Sequence, residues 1–213
     1  MKDVKVVVFD CDGVMFDTKK ANSAFYNQIL EHFDKPGLTP EQFDFCHMHT
    51  VNESIARLFD NEKEAETAHT YRKTMGYGPF IKYMEIEPDI RFLLEWLKPR
   101  YKTAIATNRS DTMDQVLEEF GLKRDFDLVV TSLDVERPKP YPDPLIKVLD
   151  YFNTEPNSAV YVGDSELDEK AAKAAGIPLI AYDNPSLTAD FHITSLREIK
   201  DILEQATRNQ KGE

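Results

Sequence analysis

Residues 6–9, Val-Val-Val-Phe, form an unbroken apolar run that stops on an acid, Asp10. A strand that is apolar at every position has no face to turn to water, so it belongs inside a parallel sheet covered on both sides. Similar short runs return at 103–106, 128–130, 159–162 and 179–181. Helical patterns lie between them. One opens at Pro88-Asp89 and carries Ile90, Leu93, Leu94 and Leu97, and a second carries Met113, Val116, Leu117 and Phe120 and stops at Gly121. A third includes Leu145, Ile146, Val148 and Leu149, and a fourth spans 166–175 and stops at Gly176. Glycine just past the last periodic residue marks a helix end, because it takes the left-handed conformation without strain. Strands alternating with helices in this way predict an α/β fold, a doubly wound parallel sheet with helices on both faces.

The stretch from 16 to 87 breaks the alternation. It has no comparable strand and reads as helices over 24–33, 40–45, 53–59 and 62–74. So long a helical insertion after the first strand implies an inserted all-helical domain, a lid over 16–87, on a core made of 1–15 and 88–213. The polar end, 206–213, is expected to fray.

Bulk properties narrow the function. The 213 residues suffice for one substantial core or a core with a smaller insertion. Twenty-six basic residues against 38 acidic ones leave a formal charge of −12. That sign argues against nucleic acid and against an anionic membrane surface, while a small anionic substrate is still open to a local cluster of cations. Two cysteines, Cys11 and Cys46, without a Cys-x-x-Cys pair, give no disulfide framework and no structural zinc motif. The N-terminal apolar run is too short for a signal peptide and nothing reaches the length of a membrane span, so the expected address is the cytoplasm and the expected state a monomer.

In open α/β sheets, ligands gather beyond the carboxyl ends of the strands. Four such ends carry polar groups: Asp10-Cys-Asp12-Gly13, Thr107-Asn108, the loop Arg137-Pro-Lys-Pro-Tyr-Pro-Asp-Pro144, and Gly163-Asp-Ser-Glu-Leu-Asp168. Asp10 and Asp12 flank a single residue, and two carboxylates so close repel unless a cation or a shared proton relieves them. Gly13 lets the backbone turn tightly there. Each feature also has a plainer reading. Asp-x-Asp can be a solvated turn, and Thr107 can cap the helix expected over 110–119. Lys139 can be an exposed loop lysine, and Asp164 and Asp168 can be helix N-terminal acids that complement the dipole.

Phe9-Asp-Cys-Asp-Gly-Val-Met-Phe-Asp17 resembles the signature of the haloacid dehalogenase superfamily, and the other three strand ends resemble that family's remaining motifs in order. The resemblance covers the whole chain, with the insertion like the cap of the phosphoglycolate-phosphatase and β-phosphoglucomutase-like branch. It implies that Asp10 is a nucleophile forming an aspartyl-phosphate and that Asp12 is a general acid, then base. It implies Mg²⁺ as cofactor, held by Asp10, the backbone carbonyl of Asp12, and Asp164. Thr107, Asn108 and Lys139 would bind phosphate, with Asp168 orienting Lys139 or a metal-bound water. Arg109 is left to reach either substrate or solvent. The resemblance implies a Mg²⁺-dependent phosphatase of a small phosphorylated metabolite. Its rivals are a phosphomutase of the same branch and a non-catalytic phospholigand-binding protein.

Other chemistries find no support. Neither cysteine is followed six residues later by arginine, Gly76-Tyr-Gly78 is too short for a dinucleotide or phosphate loop, and Ser165 lacks a Gly-x-Ser-x-Gly frame. His47-Met-His49 has no partner ligands in sequence, so these histidines are expected to face the cleft or the lid surface.

Overall fold

The computed structural model of the chain describes residues 3–211. In chain order it begins with β1 (Val6–Phe9), β2 (Phe16–Asp17), α1 (Lys19–His32), α2 (Pro40–Met48), α3 (Val51–Leu58), α4 (Glu62–Met75), α5 (Gly78–Ile81) and β3 (Glu85–Ile86). It continues with α6 (Ile90–Leu97), β4 (Lys102–Ala106), α7 (Met113–Glu119), β5 (Leu128–Val130), α8 (Asp143–Phe152), β6 (Ala159–Gly163), α9 (Glu166–Ala175), β7 (Leu179–Tyr182), β8 (Phe191–Ile193) and α10 (Glu198–Lys211).

Six strands form one parallel sheet in the order β5-β4-β1-β6-β7-β8. The chain starts in the middle, winds out through β4 and β5, then returns past β1 to build the other half. β1 therefore has neighbours on both sides and helices on both faces, which is why all four of its side chains are buried. Val7 and Phe9 join one apolar cluster with Leu93, Leu97 and Val116, while Val6 and Val8 join another with Leu145, Val148 and Ala171. Alternate side chains of a strand point to opposite faces, so a fully apolar strand serves two cores at once. Each such valine contributes about 1.5–3 kcal/mol by leaving water.

Helix ends follow local chemistry. Thr39 and Gln42, and Thr50 and Glu53, form reciprocal caps that start α2 and α3, and Ser165 and Asp168 do the same for α9. Gly176 ends α9 at φ 71°.

The insertion is helical as expected, with longer elements. α1 starts at Lys19 rather than 24, because Ala21 and Asn22 are buried although a polar Lys-Lys pair precedes them. Where the chain leaves and re-enters the sheet, β2 and β3 pair antiparallel, Phe16 beside Ile86. This two-residue pair, at 16–17 and 85–86, was not legible as strand. The short α5 and two elements near the end of the chain also escaped the pattern. β8 is broken by the exposed His192, and α10 packs Ile199, Ile202 and Leu203 against the core from a sequence that is otherwise polar. α10 runs on to Lys211, so the fraying expected from 206 is corrected as far as that residue. Residues 212 and 213 lie outside those described. Among the described residues no helix is long and apolar enough to cross a membrane.

Candidate active site

β1 ends by handing its last ladder bond to Asp10, whose N–H donates to the Val162 carbonyl at 2.9 Å. The next residues close into a tight turn in which Gly13 N–H donates to Phe16 O at 2.9 Å. Gly13 takes φ 81°, and a Cβ there would sit 2.0 Å from Asp164 Oδ2. Gly13 therefore supplies both the left-handed turn and the space that lets the β6 strand-end acid approach the β1 strand-end acid. Carboxylate oxygens of Asp10, Asp164 and Asp168 all lie within 4.8 Å of one another.

Lys139 anchors this cluster. Its ammonium is 2.8 Å from Asp10 Oδ1 and 2.7 Å from Asp168 Oδ1, and it donates to the Tyr161 hydroxyl at 3.0 Å, with the lysine 2% exposed. Asp168 is fully engaged. Oδ1 accepts from Lys139 and Tyr161, and Oδ2 accepts from the N–H groups of Asp164 and Ser165 and from the Ser165 hydroxyl. Its two sequence readings thus hold together, since one carboxylate both caps α9 and orients Lys139. Tyr161 was missed by sequence reasoning. It sits inside an apolar strand and shows as polar only when its hydroxyl is seen to bridge Asp168 and the Ala106 carbonyl.

The electrostatics are those of a site short of positive charge. Burial pushes Asp10 up to about 7, against the pull of Lys139 and with a further push from Asp168. Burial, then Asp168 and Asp10, raise Asp164 well above the usual carboxylate range. Asp168 is also buried, yet Lys139 and its hydrogen bonds hold it below that range. A hard divalent cation would relieve the raised pair, and Mg²⁺ prefers the oxygen donors that the cluster gathers. Asp10 and Asp164 could hold it with the carbonyl of Asp12 in the same turn.

Asp12 points the other way. Both its oxygens are gripped by Arg109, from Nε to Oδ2 at 3.1 Å and from Nη2 to Oδ1 at 2.5 Å. Burial would raise Asp12, but the guanidinium charge and its hydrogen bonds bring it down to about 2. Arg109 is buried, which corrects the solvent reading. Its guanidinium also lies 4.7 Å from the centre of the Tyr77 ring.

Thr107 is buried at the end of β4, and its hydroxyl accepts from Arg109 N–H at 3.1 Å. It does not cap the next helix, which starts only at Met113. Asn108 Nδ2 donates to the carbonyls of Met48 and Lys139, tying the insertion to the lysine loop, and its Oδ1 has no partner among the described residues. His47 faces the cleft. Asn22 Nδ2 donates to its Nδ1 at 3.2 Å, and Tyr77 donates to Asn22 Oδ1 at 2.7 Å. Burial lowers the His47 pKa against the pull of Asp12. His49 stacks on Phe45 at 3.8 Å. The cavity between sheet edge and insertion measures about 70 Å³ and is lined by Asp10, Asp12, His47, Arg109, Lys139 and Asp164, among others.

The doubly wound sheet thus gathers acids and a buried lysine beyond its central strand. The chain belongs to the haloacid dehalogenase-like hydrolase family, whose model matches residues 7–182. It is 30% identical over 220 residues to a phosphoglycolate phosphatase of Chromobacterium violaceum, covering 95% of this chain and 98% of that one. It is also 30% identical over 190 residues to the pyrophosphatase PpaX of Bacillus velezensis, covering 82% of this chain and 81% of that one. A solved haloacid dehalogenase-superfamily hydrolase of subfamily IA from Geobacter sulfurreducens superposes with a TM-score of 0.77 at 40% identity, over 95% of this chain and 97% of that one.

Proposed function

We propose that this chain is a Mg²⁺-dependent phosphatase that hydrolyses a small phosphorylated metabolite through an aspartyl-phosphate on Asp10. The observation that carries the reading is the position of Asp10. It is buried beyond the central strand, 2.8 Å from the Lys139 ammonium and in the same oxygen cluster as Asp164. The names of the relatives, phosphoglycolate phosphatase and pyrophosphatase, support transfer of a phosphoryl group.

In this reading a carboxylate oxygen of Asp10 attacks phosphorus, and the bond to the leaving oxygen breaks while Asp12, once it has left Arg109 and taken a proton from solvent, passes that proton to the leaving oxygen. Water then attacks the phosphorus of the aspartyl-phosphate with Asp12 as base, returning the Asp10 carboxylate and inorganic phosphate. Lys139 and the Thr107 hydroxyl hold the phosphoryl oxygens, and Asp168 with Tyr161 keeps Lys139 in place. Mg²⁺ held by Asp10, the Asp12 carbonyl and Asp164 would supply the charge that lets one anion approach another. The insertion, taken as a lid over 16–87, excludes water and shapes the leaving-group side through His47 and Tyr77.

The test is a screen of phosphate monoesters with and without Mg²⁺, using Asp10→Asn as blank and including p-nitrophenyl phosphate, whose leaving group departs without a proton. Metal-dependent phosphate release lost in the variant is expected. Turnover that survives Asp10→Asn removes the nucleophile assignment. Isomerised sugar phosphate from glucose 1-phosphate would make the chain a mutase.

A further inference from the structure

Asp12 and Arg109 of the core and Thr18, Asn22 and Tyr77 of the insertion close into one circuit of polar contacts, and every proton in it has a fixed direction. A guanidinium can only donate and an ionised carboxylate can only accept. At one end, Arg109 Nη2 donates to Tyr77 OH at 3.4 Å, so the tyrosine proton goes to Asn22 Oδ1 at 2.7 Å. At the other, the Thr18 hydroxyl helps to keep Asp12 ionised, so its proton points at the carboxylate. The Thr18 oxygen is left to accept from Asn22 Nδ2 at 3.3 Å. Thr18, Asn22 and Tyr77 are all buried. A reversed Asn22 amide would strand the tyrosine proton, and a buried donor without a partner is costly.

The circuit decides the state of a group outside it. Asn22 Nδ2 also donates to His47 Nδ1 at 3.2 Å, and a nitrogen that accepts carries no proton of its own. The imidazole proton therefore sits on Nε2, because the bond made by one ring nitrogen fixes the state of the other. Burial acts the same way, favouring the neutral ring. The hydrogen bonds of the described residues leave Nε2–H unpaired, and His47 lines the cavity that holds Asp10 and Lys139. The place of this donor is fixed as well. The ring stacks on Phe43 with 5.5 Å between centres, and the carbonyl of the next residue, Met48, accepts from Asn108 Nδ2. When Asp12 turns from Arg109, the Tyr77 end still orients Asn22, so the tautomer outlasts that turn.

We infer that Asn22 and Tyr77 are positioning residues that set the tautomer of His47, and that His47 is a specificity-determining donor whose Nε2–H bonds an oxygen on the leaving group. A histidine held in this way gives a hydrogen bond but takes no proton, so it selects the ligand and does not act as a base. The ligand it selects is an ester whose alcohol carries a further oxygen acceptor. An alkyl or ammonium group at that place leaves the donor unpaired. The inference deepens the phosphatase reading and rests on it for the ligand being a phosphate ester.

The tautomer is read from the nitrogen chemical shifts of His47 in the intact protein near about pH 8, with a bare Nδ1 and a protonated Nε2 expected. Tyr77→Phe frees the Asn22 amide to turn, and Asn22→Asp can only accept, so each should move the proton towards Nδ1. Either variant suffices if the other does not fold. A protonated Nδ1 in the intact protein, or a pattern that the variants leave unmoved, overturns the positioning role. The donor role is read in Asp10→Asn, titrated with ethylene glycol phosphate and with its isostere propyl phosphate. The first should shift the His47 Nε2–H signal and the second should not. In the intact protein the same pair should differ about tenfold in kcat/KM. His47→Phe should bring that ratio to within about twofold of unity, and His47→Gln, which keeps a donor, should retain most of it. Esters that shift the signal alike, or that both leave it in place, overturn the donor role. If no ester is turned over, the phosphatase reading fails alone, and the Nε2–H signal still decides for or against His47.

Discussion

Replacing Lys139 by methionine keeps the stem and removes the ammonium, which tests whether one buried cation holds the strand-end acids together. Two carboxylates at 2.7 and 2.8 Å each attract it by about 6 kcal/mol at an effective dielectric of about 20. Much of that is offset by taking the ammonium out of water. Removal of one partner from a buried pair costs about 3–5 kcal/mol, because the orphaned charge stays buried. The loss should also depend on pH. The folded Asp10 keeps its proton up to about 7 even with Lys139 beside it, and to a higher pH without it, so its share of the loss begins only as pH rises through about 7 and grows above it. Urea unfolding in EDTA should show a loss of about 3–5 kcal/mol near about pH 8 and roughly half as much near about pH 5.5, with an unchanged slope. A loss below about 1 kcal/mol, or one equal at both pH values, would refute the reasoning.

Two further outcomes follow from the same cluster. Mg²⁺ should raise the melting temperature, and by more near about pH 8 than near about pH 5.5, since the raised carboxyls of Asp10 and Asp164 must shed protons to take a cation; a shift independent of pH speaks against these ligands. Gly13→Ala places a methyl 2.0 Å from Asp164 Oδ2 in a left-handed turn, so phosphate release should fall about 100-fold and Mg²⁺ should bind more weakly. Near-normal rates in that variant would show that Asp164 takes no part.

The strands of the sheet were legible because burial on both faces leaves a continuous apolar run, and such a run survives in the sequence as a pattern. β8 was not, because its three residues place the exposed His192 between Phe191 and Ile193, which breaks the apolar run. The strand-end acids were legible for a related reason. Carboxylates directly after an apolar strand cannot belong to the core, so Asp10, Asp12 and Asp164 announce themselves. Asn108 was expected on the phosphate, and what the sequence did not show is that its amide bonds the Met48 and Lys139 carbonyls, two backbone groups that no local pattern marks. Tyr161 stayed hidden because a tyrosine in a strand looks like any other apolar residue.

The sequence by itself determined a parallel α/β sheet, a helical insertion after the first strand and the four strand ends that carry acids, a hydroxyl and a lysine. Periodicity and strand-end polarity are local properties, and local properties can be read along the chain. Only the tertiary structure decided which of these groups touch. Arg109 meets Asp12 across 97 positions, and Lys139 meets Asp168 across 29, because the winding order sets β4, β1 and β6 side by side and ends them on one edge. The charge each carboxylate carries follows from that adjacency and from burial, and neither is written in the residue itself.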